Sequence, residues 1–289
     1  MWSHAAAVAF LVVPELPEVE LVRRELEPVL TGARFDAVEL RRSNLRIPFP
    51  PDFVERLVGQ TVTGVTRRAK YLLVALSSGE TLLVHLGMTG GFRVARQRVT
   101  GGYRAAEDTD DPKHDHVVFE MTSGTLVTFN DPRRFGLMDL VPRGGLAAHP
   151  VLGRLGPEPL SAEFDAAALA AACAGKSVPL KLALLDQRVV AGLGNIYVSE
   201  ALFIARLSPK RRSSTIATPT GRPRATAARL AAAIVQVLEA ALGRSDMQTS
   251  RFRVYERAGT RCPRRGCGGT IAQIVQGARS TYYCPTCQR

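Results

Sequence analysis

The chain has 289 residues, 46% hydrophobic and 22% charged, which is enough for about two packed domains. Its net charge is +12, and from Arg206 onward 16 Lys/Arg face only 3 Asp/Glu. That asymmetry suits a polyanion-binding face better than a surface charged only for solubility. The long apolar run at residues 5–13 is only nine residues, too short for a bilayer, and it lacks the basic flank and cleavage pattern of a signal peptide. Membrane and secreted readings are set aside on those grounds.

Helical spacing of Val19, Val22, Leu26 and Val29, with Pro17 in the first turn, predicts a helix over residues 17–30. Alternating β-prone segments then predict one hairpin, 70–76 and 81–86 around a Ser-Ser-Gly-Glu turn, and another, 117–121 and 125–129. The charge-rich stretch 101–116 between them reads as an exposed loop. This part is expected to be a β sandwich or barrel with a helix packed on it. Gly/Pro punctuation marks a linker, and helices are expected at 164–174, 180–185, 196–205 and 225–242. Residues 208–223 read as a basic connection, and short β segments follow at 270–275 and 280–283. The boundaries expected are an extension at 1–13, a first domain at 14–140, a linker at 141–160, a helical domain at 161–253 and a cysteine-bearing module at 254–289.

Four of the five cysteines cluster near the end of the chain. Cys262 and Cys267 are separated by four residues, Cys284 and Cys287 by two, and sixteen residues lie between the pairs. Two close pairs on tight turns can gather four thiolates into a tetrahedron, the preferred arrangement of a structural Zn²⁺. With all four positions filled by protein, such a zinc shapes a hairpin and performs no chemistry. Arg257, Arg261, Arg264, Arg265, Arg279 and Arg289 surround it, a distribution suited to phosphates. Cys173, in an alanine-rich stretch, is expected to be a small core residue.

Pro14-Glu-Leu-Pro-Glu-Val-Glu leads into the first helix. Arg68-Ala-Lys-Tyr-Leu-Leu, His85-Leu-Gly-Met-Thr-Gly, Lys113-His-Asp-His-Val and Asp131-Pro-Arg-Arg-Phe-Gly follow. Then come Leu155-Gly-Pro-Glu-Pro-Leu, Leu185-Asp-Gln, Ala191-Gly-Leu-Gly-Asn-Ile-Tyr, Glu200 and Gly277-Ala-Arg-Ser-Thr-Tyr-Tyr-Cys. In this order they resemble the formamidopyrimidine-DNA glycosylase family, which includes the endonuclease VIII-like enzymes, over residues 14–289. The resemblance implies an α+β multi-domain protein: an N-terminal β sandwich with a packed helix, a helix-two-turn-helix domain and a C-terminal β-hairpin zinc finger, with DNA held between lobes. It implies a bifunctional glycosylase/AP lyase of base excision repair, which removes oxidised bases and nicks by β,δ-elimination. Double-stranded DNA with oxidised bases or abasic sites is the implied partner, one structural Zn²⁺ the implied cofactor. A bacterial cytoplasmic, nucleoid-associated monomer is the implied setting.

The same resemblance assigns roles. Pro14 matches the nucleophile, Glu15 the general acid that helps open the sugar, Lys70 the residue of proton transfer and phosphate contact. Asn195 and Arg279 match residues gripping the phosphates beside the lesion, and His114, Arg133 and Lys176 further DNA contacts. Met88, Arg133 and Phe135 match the side chains that fill the gap left by an everted base. Read without the resemblance, Met88 and Phe135 are core residues, Glu15 and Glu18 favourable charges at a helix start, Lys70 a solvated lysine and Asn195 a capping residue.

Two features depart from the family pattern. Pro14 is preceded by Met1–Val13, and an internal proline nitrogen is an amide without a nucleophilic lone pair; translation from a valine-type start codon at Val13, or proteolysis, is expected to free it. Residues 243–253 pass almost directly from the last long helix to the zinc finger. That short connection predicts weaker preference for 8-oxoguanine than for formamidopyrimidines or oxidised pyrimidines. Two other readings stand beside this one: a non-catalytic paralogue that binds damaged DNA, and a zinc-ribbon RNA-binding protein, which leaves the first helix and the glycine motifs unexplained.

Overall fold

The computed structural model describes residues 13–94, 97–99, 111–243 and 252–289. The leader before Val13, most of the loop expected at 101–116 and the core of the 243–253 connection lie outside those residues. The chain forms two compact units, the first ending at His149 and the second beginning at Pro150.

In the first unit, helix α1 (Leu16–Leu30) buries Val19, Val22 and Leu26, as its spacing predicts, together with Leu16 and Leu30, whereas Val29 is only half-buried. Antiparallel strands form two sheets. One has the order β1 (Phe35–Leu40), β7 (Asp115–Met121), β8 (Leu126–Asn130), β5 (Gly91–Val94), β6 (Gln97–Val99). The other runs β2 (Val62–Arg68), β3 (Tyr71–Leu76), β4 (Thr81–His85), β9 (Leu137–Val141), with a short helix α2 (Phe53–Leu57) between β1 and β2 in the chain. Leu26 and Leu30 of α1, Leu72, Val74, Leu82 and Val84 of one sheet, and Phe35, Phe92, Phe119 and Val127 of the other line one apolar interior. Two separate sheets sharing a core make a sandwich and not a barrel. Both predicted hairpins are present as β3–β4 and β7–β8.

The loop expected up to residue 116 ends earlier. Asp115 and His116 open β7 and are buried. The reason is long-range: Asn130 Nδ2 donates to Asp115 Oδ1 at 2.8 Å, and the Arg93 and Arg41 guanidiniums pair with the same carboxylate. His116 Nε2 meets the Asp131 carbonyl at 2.8 Å.

The second unit contains α3 (Ala166–Cys173), α4 (Leu180–Leu185), α5 (Asn195–Ile204), α6 (Ala225–Leu242) and the hairpin β10 (Ala272–Gln276), β11 (Arg279–Tyr283). Cys173 is in the core, as expected. Helix α6 is long and apolar enough to cross a bilayer by length and composition alone. It instead buries Ala227, Leu230, Ile234, Leu238 and Ala241 and packs against α3 and α5. Strand β11 packs on α5, so the helices and the cysteine module share one unit.

Candidate active site and metal centre

Pro14 is buried immediately before α1. Glu15 is the N-cap residue, 2% exposed, and its N–H donates to Glu18 Oε2 at 2.8 Å, one half of a capping box. Lys70 occupies the two-residue turn between β2 and β3, after Ala69, which is fully buried at φ 53°. Alanine adopts that left-handed conformation only when its surroundings enforce it. Arg67 supplies part of the enforcement: its Nη1 donates to the Ala69 carbonyl at 2.8 Å, while its Nε reaches Glu20 Oε2 of α1 at 3.2 Å. Burial pushes the Glu20 carboxyl up, but the Arg23, Arg24 and Arg67 guanidiniums outweigh it and hold that carboxyl below its ordinary range. One guanidinium therefore ties the helix that follows Pro14 to the turn that carries Lys70.

Beside this turn lie two residues that sequence reasoning left unassigned. Tyr71 and His85 are cross-strand partners, ring centroids 4.8 Å apart. The Gly87 N–H donates to His85 Nδ1 at 3.0 Å, so the neutral ring carries its proton on Nε2. Burial first, then the positive charges of Lys70 and Arg46, push the His85 pKa down to about 4. Its folded-state pKa lies below the unfolded value of about 6.5, so the neutral ring is compatible with folding above that pH. As pH falls toward 4 the unfolded chain takes up the proton first, and stability drops by up to about 3 kcal/mol from this residue alone. H85Q is expected to flatten the decline of unfolding free energy between pH 7 and 4.5; urea titrations at both values check it.

The predicted gap-filling residues sit on two loops of this unit. Met88 is half-buried after β4, and Arg133 and Phe135 are exposed between β8 and β9. Phe135 is 43% exposed, and the Arg133 guanidinium stacks over its ring at 4.7 Å. A core role for Phe135 is therefore excluded. His114 is half-buried in a short 3₁₀ turn, Pro112–His114, just before β7.

In the second unit the four cysteine Sγ atoms lie within 4.8 Å of one another. Cys262 and Cys287 are 3.9 Å apart, Cys267 and Cys284 3.6 Å. Tetrahedral zinc with bonds of about 2.3 Å requires sulfurs about 3.8 Å apart, so the cluster fits the ion. Arg279 follows a two-residue turn in which Gly277 and Ala278 both have positive φ, 56° and 57°. That is a type I′ hairpin turn, and a Cβ on Gly277 would stand 2.9 Å from Leu182 Cδ2 of α4.

Asn195 opens α5, and its Nδ2 donates to the Ser280 carbonyl at 2.9 Å. The same carbonyl accepts from Lys181 Nζ at 2.9 Å, and Lys181 also donates to Thr281 Oγ1 at 2.6 Å. Lys181 is fully buried. Lys176, by contrast, is exposed on the loop after α3. The lysine held against the Arg279 strand is thus Lys181, whose only sequence signal was a cation inside an apolar helix. K181M keeps the stem but removes the ammonium that donates to Thr281 Oγ1 and one of the two donors to the Ser280 carbonyl. It is expected to cost about 1–3 kcal/mol and to raise hydrogen exchange at 280–283 while leaving the first unit unchanged; mass-resolved exchange reads both.

The family model of the formamidopyrimidine-DNA glycosylase N-terminal domain matches residues 13–138. "Formamidopyrimidine-DNA glycosylase H2TH domain" matches 155–253, and "Zinc finger found in FPG and IleRS" matches 259–289. The chain belongs to the formamidopyrimidine-DNA glycosylase family. Family members from Bradyrhizobium sp. BTAi1 and Rhodopseudomonas palustris BisB18 are 55% and 54% identical to it, over 96% of this chain and 100% of theirs. The Lactococcus lactis family member, solved non-covalently bound to DNA containing an AP site, superposes with a TM-score of 0.81 at 29% identity. That match covers 96% of this chain and 100% of the other. The Thermus thermophilus family member gives 0.77 at 37% identity, over 95% and 98%.

Proposed function

We infer that this chain is a DNA glycosylase of base excision repair with AP-lyase activity. Its partner is double-stranded DNA containing oxidised bases or abasic sites, and its one zinc is structural. It acts in the cytoplasm, where its bacterial relatives meet DNA, and we propose association with the nucleoid and a monomeric state. The observation that carries the mechanism is the placement of Pro14 against a buried, hydrogen-bonded Glu15 at the start of α1.

A terminal secondary amine has a reference pKa of about 8, against about 10.4 for lysine, so more of it is neutral at pH 7. Its lone pair attacks C1′ of the damaged nucleoside as the N-glycosidic bond breaks. The base leaves with the electron pair of the broken glycosidic bond and takes up the proton that the attacking nitrogen loses. Glu15 protonates the ring oxygen, the sugar opens and nitrogen and C1′ form an iminium. Loss of the C2′ proton then expels the 3′ phosphate, with Lys70 in proton transfer, and a second elimination expels the 5′ phosphate. Asn195 and Arg279 grip the flanking phosphates, with His114 and Lys176 as outlying contacts. Met88, Arg133 and Phe135 occupy the vacated stack. The exposed, stacked pair of Arg133 and Phe135 supports that last role.

Chemistry at Pro14 requires that its nitrogen be freed, by initiation at Val13 with later processing or by proteolysis. Borohydride trapping on an abasic-site duplex tests the mechanism, since only the iminium is reduced to a stable covalent adduct. We also propose that formamidopyrimidines or oxidised pyrimidines are preferred to 8-oxoguanine, on the shortness of the 243–253 connection. The highest excision rate on 8-oxoguanine opposite cytosine, among matched duplexes, overturns that preference.

A further inference from the structure

Two loops carry the three side chains assigned to the vacated stack, residues 86–90 after β4 and 131–136 between β8 and β9. They are cross-linked through one buried hydroxyl and one buried carboxylate. Thr89 Oγ1 donates to Asp131 Oδ1 at 2.5 Å and accepts from the Arg133 N–H at 3.2 Å. Asp131 Oδ2 accepts from the Gly136 N–H at 2.7 Å, and the Asp131 carbonyl meets His116 Nε2 at 2.8 Å. Asp131 is fully buried and Thr89 is 3% exposed. The backbones are in contact as well: a Cβ on Gly87, at φ +68°, would stand 2.4 Å from the Phe135 carbonyl carbon.

Neither Thr89 nor Asp131 has a part in the chemistry at C1′. Their bonds instead remove the freedom of Met88 to move relative to Arg133 and Phe135. Each long side chain ordered at the moment of insertion costs binding free energy, and a loop already in register avoids that cost. We propose that Thr89 and Asp131 form a clasp that holds Met88 in register with Arg133 and Phe135, making both positioning residues for base eversion. The proposal rests on the gap-filling assignment of those three side chains.

The test compares T89V, T89S and G87A with the paired substitution Met88→Ala plus Phe135→Ala, in chains beginning at Pro14. Single-turnover excision is followed on a duplex holding an oxidised base, and nicking on a duplex with a pre-formed abasic site, where no base needs to leave the stack. T89V removes both Thr89 bonds and is expected to slow excision about tenfold, roughly the net effect of one or two hydrogen bonds, while nicking changes less than twofold. T89S keeps both bonds and should excise at the wild-type rate. G87A keeps the bonding groups but presses on the Phe135 backbone, and should reproduce the T89V pattern. Equal losses on both substrates, no loss in either T89V or G87A, or a T89S as slow as T89V each overturn the clasp. If the paired substitution leaves excision intact, the gap-filling assignment itself is wrong, an outcome read separately from the T89V result.

Discussion

A chain beginning at Pro14 should become covalently attached to an abasic-site duplex in borohydride, and a chain that keeps residues 1–13 should not. The reason is electronic. In the longer chain the Pro14 nitrogen is conjugated with the Val13 carbonyl and has no lone pair to give to C1′. The expected difference in trapping and in base excision is at least about 10³-fold, the scale on which loss of a nucleophile is felt. Zinc content should be equal in the two chains, since the four cysteines lie in the second unit. Adduct formation by the longer chain would make Pro14 the wrong atom. Failure of both chains to trap, with abasic DNA still bound, would favour the non-catalytic reading. Intact mass of the protein from its native host decides which form exists there.

Removal of zinc is expected to have the next largest effect. The hairpin has little apolar core of its own: Cys262 and Cys284 pack with Phe203, Val254 and Ile271, so the metal ligands are themselves part of the layer joining the hairpin to α5. Gln288 extends that layer, its Oε1 accepting from the Cys284 N–H at 2.7 Å and its Nε2 donating to the Leu207 carbonyl at 3.0 Å. Four thiolates released from a metal repel one another until they are protonated, and structural zinc contributes on the order of 10 kcal/mol to such modules. Chelation, or C284S, should therefore unseat β10–β11 and Arg279 with it. Affinity for an abasic-site duplex should fall at least about 100-fold, measured by anisotropy, while pH-dependent unfolding of the first unit is unchanged. A metal-free chain that binds such DNA with undiminished affinity would remove the hairpin from the interface.

What could be read along the chain was whatever a few adjacent residues encode. The apolar face of α1 follows from Val19, Val22 and Leu26 at helical spacing, the β3–β4 and β7–β8 hairpins from short turns between β-prone runs, and the metal site from two cysteine pairs on tight knuckles. Each is decided by steric and periodic rules acting over fewer than about thirty residues. The motifs around Pro14, Met88, Arg133 and Asn195 were equally local, and they led to the family.

The contacts that arrange those motifs were not local. Asp131 reaches Thr89 across 42 positions, Arg67 reaches Glu20 across 47, Lys181 reaches Thr281 across 100. Nothing in the residues around Lys181 distinguishes a buried ammonium gripping a strand from a solvated one. Nor does any neighbour of Asp115 announce that Asn130, Arg93 and Arg41 will draw it out of a loop and into β7. Sequence by itself determined which groups are present and which short elements carry them, because backbone sterics and side-chain periodicity act between near neighbours. Tertiary structure alone decided which of those groups are buried, and against what. A buried polar atom must find its partner wherever the folded chain brings one, and sheet pairing and helix docking bring it from far away.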